Sequence, residues 1–342
     1  MNEPSVDPSP PSPPPAIKPV KRRRWRMSAA LPFLLFVLLV VTFGAAFGPG
    51  PLDADKTVVV PHGAGPREVA TLLESNGAIY NTLLFRVMVK LLAANGLKAG
   101  EYQLTAGQSM DDIVLMIHDG RSITRLFTVA EGLTSNEVKQ LLSTTPTLSG
   151  DTVQEPSEGS LLPETYRYIY GDSRGGLITR MQKSMQETLN DLWSRRDPNV
   201  SLSSPRQAVI MASVIEKETG KAAERPRIAG VFYNRLRLHM RLQSDPTVIY
   251  GITKAKGEMD HDIDHADLAF PSPYNTYTND GLPPGPICNP GRAALDAALH
   301  PEQNDYLYFV ADGTGGHVFA RSLAEHNQNV TKWNEVKGKI TP

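Results

Sequence analysis

Residues 204–220 read SPRQAVIMASVIEKETG, and the fold of the C-terminal half turns on them. Serine followed by proline marks a helix start. The Ser204 hydroxyl can accept from an orphan amide, and Pro205 sits in the first turn, where its missing N–H costs nothing. Gly220 supplies the stop. In between, Ala208–Ile215 is apolar on nearly every side, interrupted only by Ser213. A helix that is apolar all round is a buried helix, so this segment is expected at the centre of a domain. Glu216 and Glu218 close it. Glu216 lies one turn beyond Ala212 and Ser213, and Glu218 one turn beyond Val214 and Ile215, so periodicity does not choose between them. Desolvation and the negative helix C-terminus both favour a neutral carboxyl, the form a general acid for glycosidic cleavage needs. The competing reading is simple ion pairing with Lys217, Lys221, Arg225 or Arg227.

Downstream, Glu224–Arg237 reads as a second helix. In the run RLQSDPTVIYG, residues 241–251, Pro246 biases Asp245 toward an extended conformation and places its side chain in a turn. The stretches Ser272–Tyr277 and Gly281–Gly291 are stiff loops of Pro, Gly, Asn and Tyr that present amides and aromatic faces at little entropic cost, as a sugar site requires. A helix over 292–299 and a strand over 306–311 follow, then the segments around His317 and His326. The acidic stretch from His261 to His265 has the composition of a metal site, but it lies in a polar insert and is not taken as one.

Upstream, 181–193 forms an amphipathic helix, and the Thr/Ser/Pro-rich residues 143–159 form a boundary loop. Residues 57–142 repeat one pattern three times: a short strand, a glycine turn at Gly63, Gly107 or Gly132, then an amphipathic helix. Strands 57–60 and 101–104 are expected to pair, with a further helix over 83–92. The first two units resemble a LysM-like module, the small β-α-α-β domain that binds N-acetylglucosamine-containing glycans. The alternative is a compact α+β spacer without a ligand.

The chain has 342 residues, 40% apolar and 21% charged, which excludes a wholly disordered chain and a multi-span membrane protein. One cysteine, Cys288, excludes an internal disulfide and CxxC zinc or redox sites. Eight of the first 20 residues are proline, and six basic groups face two acidic ones in the first 30. That segment reads as a disordered, basic tail over 1–27. The uncharged run over 28–48, SAALPFLLFVLLVVTFGAAFG, is about 30 Å long as a helix, enough to cross a bilayer. The length of both segments favours a retained signal-anchor over a cleaved signal peptide. The positive-inside rule then places the tail in the cytoplasm and the body in the periplasm or outside the cell, a single-pass type II protein of the inner (plasma) membrane. The remaining residues carry a net negative charge, so no nucleic-acid partner is expected.

Several motifs occur in one order: EKET at 216–219, NRL at 234–236, RLQSDPTVIYG at 241–251, YNTY at 274–277, GLPPGPICNPG at 281–291, GGHVF at 315–319 and EHN at 325–327. Together they resemble the membrane-anchored endolytic murein transglycosylases of the YceG-like family. The resemblance implies an α+β protein with a single transmembrane helix over 28–48, a small LysM-like domain over 53–150 and a mixed α+β catalytic domain over 156–342. It implies a lyase that cuts the β-1,4 bond after N-acetylmuramic acid within a glycan strand, leaving a 1,6-anhydromuramyl end and limiting strand length during wall assembly. Its partners would be peptidoglycan strands, the membrane and peptidoglycan synthases. The motif match assigns the single acid–base role to Glu216, with Glu218 supporting. Gln243 and Asp245 would orient substrate, and Tyr274, Asn275, Thr276, Tyr277 and Asn289 would line sugar subsites. Glu164, Asn234 and His317 are candidate supporting residues. No metal and no cofactor are expected. The competing functions are a non-catalytic peptidoglycan-binding scaffold and a muramidase that hydrolyses the same bond.

Overall fold

The computed structural model describes Met1, residues 24–151 and residues 155–340. The proline-rich tail expected over 1–27 lies almost wholly outside the described residues. The chain divides into two compact units, Met1–Arg121 and Ser122–Pro342. The division falls earlier than the boundary expected near 150. The third sequence unit therefore belongs to the second body, although its sequence pattern matches the first two.

The first unit starts with α1 (Arg24–Phe47), which carries Pro32. Residues 30–47 have a mean hydropathy of 2.5 and are almost entirely uncovered. A helix with Leu31, Phe33, Leu34, Phe36 and Leu39 all exposed has the length and composition of a membrane span. Next, β1 (Lys56–Val60) pairs antiparallel with β2 (Gly100–Leu104), Lys56 opposite Leu104 and Val60 opposite Gly100. This is the pairing expected from the sequence. Between them lie α2 (Pro66–Ser75) and α3 (Thr82–Leu92), and α4 (Met110–Asp119) follows. Alternate strand residues Val58, Val60, Tyr102 and Leu104 meet Leu73, Phe85, Ile113 and Ile117 in one core.

The second unit opens with a two-stranded sheet of β3 (Thr124–Thr128) and β4 (Thr165–Ile169), which pair antiparallel. Between them, α5 (Ser135–Ser143) starts in a capping box: Thr134 Oγ1 accepts from the Glu137 amide, and Glu137 Oε2 accepts from the Thr134 amide. After α6 (Arg174–Ser194) comes α7 (Pro205–Glu218), with Ser204 as its N-cap. Every residue from Ala208 to Glu216 in α7 is buried. Its neighbours are α6, α8 (Arg225–Arg237), α9 (Asp245–Lys256) and α10 (Arg292–Leu299). Met211, Ala212 and Ile215 share a core with Ile228, Phe232, Leu295 and Leu299. A hairpin of β5 (Tyr308–Ala311) and β6 (His317–Ala320) and a final helix, α11 (Leu323–Ile340), complete the unit. Neither the hairpin partner nor α11 is read from the sequence above.

The largest local correction is at Asp245. It is not extended but opens α9, with Ser244 as N-cap and Pro246 in the first turn. The restriction that proline places on its predecessor gives way here to the preference for proline in a first helical turn.

Candidate active site

The last turn of α7 places its two glutamates in different surroundings. Successive helical residues are about 100° apart, so side chains two positions apart point to different sides. Glu216 faces α8 and α10. Its Oε1 accepts from Arg225 Nη2 at 2.5 Å, and its Oε2 accepts from the Gly291 amide at 2.8 Å. Both side chains of that pair are almost inaccessible, and Arg225 also binds Glu131 Oε2 at 3.0 Å. Burial pushes the Glu216 carboxyl up, and the Gly291 amide and the Arg225 guanidinium oppose the rise. With a buried cation on one oxygen and an amide on the other, Glu216 is an ion-pair anchor. This is the pairing with Arg225 that the sequence left open.

Glu218 faces the start of α9. Its Oε1 accepts from the Ser244 hydroxyl. Ser244 makes no side-chain cap bond to its own helix, so the hydroxyl that would ordinarily cap α9 is turned onto the carboxyl. Among the described residues no Lys, Arg or His lies within ion-pair distance of Glu218. Burial pushes it up to about 7; the Ser244 hydrogen bond and the Arg235 charge oppose that, while Asp245 adds to it. Burial raises both carboxyls, but Glu216 faces a buried cation and Glu218 faces a hydroxyl.

The residues singled out in the 241–251 run gather on the Glu218 side. Asp245 is exposed, and its Oδ1 accepts from the Tyr277 hydroxyl at 2.5 Å. Gln243 is exposed and holds a positive φ of 50°. Its amide donates to Thr276 O at 3.2 Å. Burial and the Asp245 bond raise the Tyr277 phenol well above its usual value, so it stays a donor. Tyr274 is half-buried, lies edge-to-face with Tyr250 at 4.9 Å, and accepts from Lys254 Nζ at 3.2 Å.

Other expected subsite residues turn inward. Asn275, Thr276 and Asn289 are fully buried. Asn275 Nδ2 donates to the carbonyls of Leu268 and Phe270, and its Oδ1 accepts from the Tyr277 amide. Thr276 Oγ1 accepts from the Ser244 amide. Asn289 Oδ1 accepts from the Leu161 amide, and its Nδ2 donates to Leu133 O. Their polar atoms are engaged by backbone groups and by the side chains of Thr247 and Ser135, so they tie the loops together. Asn234 Nδ2 donates to the carbonyls of Asn304 and Tyr306. His317 Nδ1 lies 2.8 Å from Glu224 Oε2. Both tie the hairpin region to the elements around α8. Glu164 is exposed, and its carbonyl accepts from the Val129 amide.

His261, Asp264 and Asp267 bring their potential ligand atoms within 4.8 Å of one another on the surface. Both ring nitrogens of His261 are already engaged, by Asp260 and Asp267. Two residues of the site carry no role in the sequence reading: Ser244 and Arg235. Ser-Asp-Pro was legible as a cap followed by a first-turn proline, which would have exposed Ser244. Arg235 stands in the NRL motif at 234–236, but nothing in the local pattern gives it a role.

The model of the YceG-like family matches residues 58–332. The chain is 33% identical over 325 residues to the endolytic murein transglycosylase of Bacillus subtilis (strain 168), covering 84% of this chain and 89% of that one. It is 30% identical to the endolytic murein transglycosylase of Streptococcus pneumoniae (strain D39), covering 88% of this chain and 64% of that longer protein. A crystal structure of a YceG-like protein from Listeria monocytogenes superposes with a TM-score of 0.50 at 33% identity, covering 81% of this chain and 99% of that one.

Proposed function

The chain belongs to the YceG-like family, and from that premise we propose that it is an endolytic murein transglycosylase whose acid–base residue is Glu218. The observation that carries the residue assignment is the contrast within α7: Glu216 is locked to Arg225, whereas Glu218 has only a neutral hydroxyl on it and is pushed up to about 7. Glu218 gives its proton to the glycosidic oxygen as the bond from the muramyl C1 breaks. The resulting carboxylate then takes the proton of the muramyl C6 hydroxyl as that oxygen closes on C1. The 1,6-anhydro ring forms, Glu218 returns to its acid form, and no water is consumed. One carboxyl serves both steps, so the carboxylate pair of ordinary glycosidases is not needed. Gln243 and Asp245, the latter held by Tyr277, are the chain neighbours of Ser244, whose hydroxyl reaches the carboxyl, and are assigned to orienting the sugar, with Tyr274 and Tyr277 as aromatic surfaces.

Residues 28–48 act as a single-pass anchor with the body outside the cytoplasm. The basic cluster over 18–26 and the uncovered apolar helix support this. Such a tether would hold the enzyme beside strands leaving the synthases. The β1–α2–α3–β2 order of the first unit supports the LysM-like reading of that region. A pure scaffold would leave a protonated carboxyl in this setting without a use.

Glu218→Gln is expected to keep the fold and lower anhydromuramyl product from purified murein by about 10²–10⁴-fold, the usual worth of general acid–base catalysis. Near-normal turnover by a folded Glu218→Gln protein would remove the assignment. Products heavier by one water would make the enzyme a muramidase instead.

A further inference from the structure

Arg235 is a buried cation without an acid, 7% exposed, on the third turn of α8. Its Nε–H donates to Leu307 O at 2.7 Å. Its Nη1 donates to Leu242 O at 2.7 Å, to Arg241 O at 3.3 Å and more weakly to Gln243 Oε1 at 3.5 Å. All of these acceptors are neutral oxygens. Among the described residues no carboxylate lies within ion-pair distance of it. Arg225, on the same helix, holds two carboxylates. Buried arginines are ordinarily paired, so the placement of Arg235 calls for a cause.

We infer that Arg235 is a positioning residue of the transglycosylase reaction: it clamps the Leu242–Gln243 backbone that delivers Ser244 and Asp245 to Glu218, and it supplies the charge that the Glu218 carboxylate meets once its proton has left. The inference rests on Glu218 being the acid. Two sets of observations carry it, one geometric and one electrostatic.

The geometry comes first. Gln243 is one of two non-glycine residues at positive φ among the described residues, a conformation that persists only where the surroundings over-determine it. Here the carbonyls before Gln243 are gripped from one side by Arg235, and its own amide is tied to Thr276 O on the other. The next residue is Ser244, whose hydroxyl reaches Glu218. The guanidinium itself is wedged: it lies 5.2 Å from the Tyr308 ring, which stacks on His326 at 5.2 Å. A clamp on residues 241–243 therefore reaches the catalytic carboxyl one residue later.

The charges follow. Those facing Glu218 are Asp245 from α9, Arg235 from α8 and the Tyr277 phenol from the 274–277 turn. On α7 itself, Glu216 is neutralised by Arg225, and the exposed Lys217 is directed to Gly132 O. While Glu218 holds its proton, Arg235 is balanced only by carbonyl dipoles. When the O–H bond breaks and the proton passes to the leaving oxygen, a carboxylate appears opposite a fixed buried cation. That attraction exists only after proton transfer, so it favours the transition state over the bound substrate.

The test uses the full chain with purified murein, following anhydromuramyl product against pH. The donor must be protonated, so the rate falls on the alkaline side as pH rises through the Glu218 pKa. Arg235→Gln is expected to lower kcat roughly 10²-fold, the scale of losing one preorganised donor, with KM little changed. It is also expected to move the alkaline limb up by about one pH unit, the scale of removing one favourable charge. Arg235→Lys keeps the charge but not the fork. It should leave the limb at its wild-type position while kcat drops, and it decides the matter if Arg235→Gln does not fold. A rate lowered equally at every pH with an unmoved limb in Arg235→Gln overturns the inference. So does full activity of Arg235→Lys, or a limb that moves in it. An active Glu218→Gln would instead overturn the acid assignment, and that measurement is independent of Arg235.

Discussion

Arg225→Met removes the cation shared by Glu216 and Glu131 while keeping most of the side-chain volume. The Glu216 partner atom lies 2.5 Å away, and the two side chains are 3% and 6% exposed. Deleting the guanidinium therefore strands a carboxylate from which water is excluded, with only the Gly291 amide remaining on it. Removing one partner of such a pair costs about 3–5 kcal/mol. Glu131 is 43% exposed and adds little, because solvent already screens it. For a folding unit of this size the loss corresponds to a fall in Tm of roughly 6–20 °C. Calorimetry of the full chain, with urea unfolding in parallel, reads it directly. The double variant Arg225→Met/Glu216→Gln should recover most of the stability, because a neutral amide can still accept from Gly291 and leaves no buried charge. Glu216→Gln alone should remain a catalyst. If Arg225→Met lay within about 0.5 kcal/mol of wild type, the range of an ordinary surface change, the ion-pair anchor would be wrong. If a folded Glu216→Gln lost all turnover, the division of labour between the two glutamates would be wrong as well.

Two further outcomes follow from the geometry. Gly159 has a φ of 74°, and a Cβ there would lie 2.6 Å from Pro286 Cγ and 2.9 Å from Val209 Cγ1. Gly159→Ala should therefore destabilise by about 1–3 kcal/mol more than Gly150→Ala, which has a similar φ of 68° but open space around it; urea midpoints compare the two, and equal losses would contradict the packing. Stability should also depend on pH through Glu218. Its folded pKa of about 7 lies above the ordinary 4.5, so the unfolded chain releases that proton first. The stability associated with the neutral carboxyl is fully present below the ordinary value and is lost as pH rises toward about 7. Glu218→Gln should flatten that part of the urea-midpoint curve, and an unchanged slope would remove the raised pKa.

Much of the fold could be read in one dimension. The cap, proline and all-round apolar run of α7 determined a buried helix, because burial on every side leaves no polar stripe. The repeated strand, glycine turn and helix pattern marked short strands at 57–60 and 101–104, and the fold pairs them as expected. The separation of the third repeat unit from the first two was not readable, because a local strand–turn–helix pattern does not say which core its apolar face enters. Its strand pairs with β4, 37 residues away or more in sequence, and that choice belongs to packing.

The site divides in the same way. Sequence determined that two carboxyls end a buried helix; that the 243–246 segment and the 274–277 turn lie together is a matter of the Tyr277–Asp245 and Gln243–Thr276 hydrogen bonds. Sequence did not tell inward from outward in the loops. Asn275, Thr276 and Asn289 are polar residues in aperiodic segments, and only the folded chain shows that backbone groups and neighbouring side chains take up their hydrogen bonds. Periodicity did not distinguish Glu216 from Glu218, and the motif match named Glu216. Two residues apart on a helix, they point to different sides, and their own sequence neighbourhoods are nearly the same. What differs is what the rest of the chain brings to each side: Arg225 and the Gly291 amide to one, Ser244 to the other. A pKa is set by dielectric and charge within a few ångströms of the carboxyl, and for these residues tertiary packing alone determines what occupies that space.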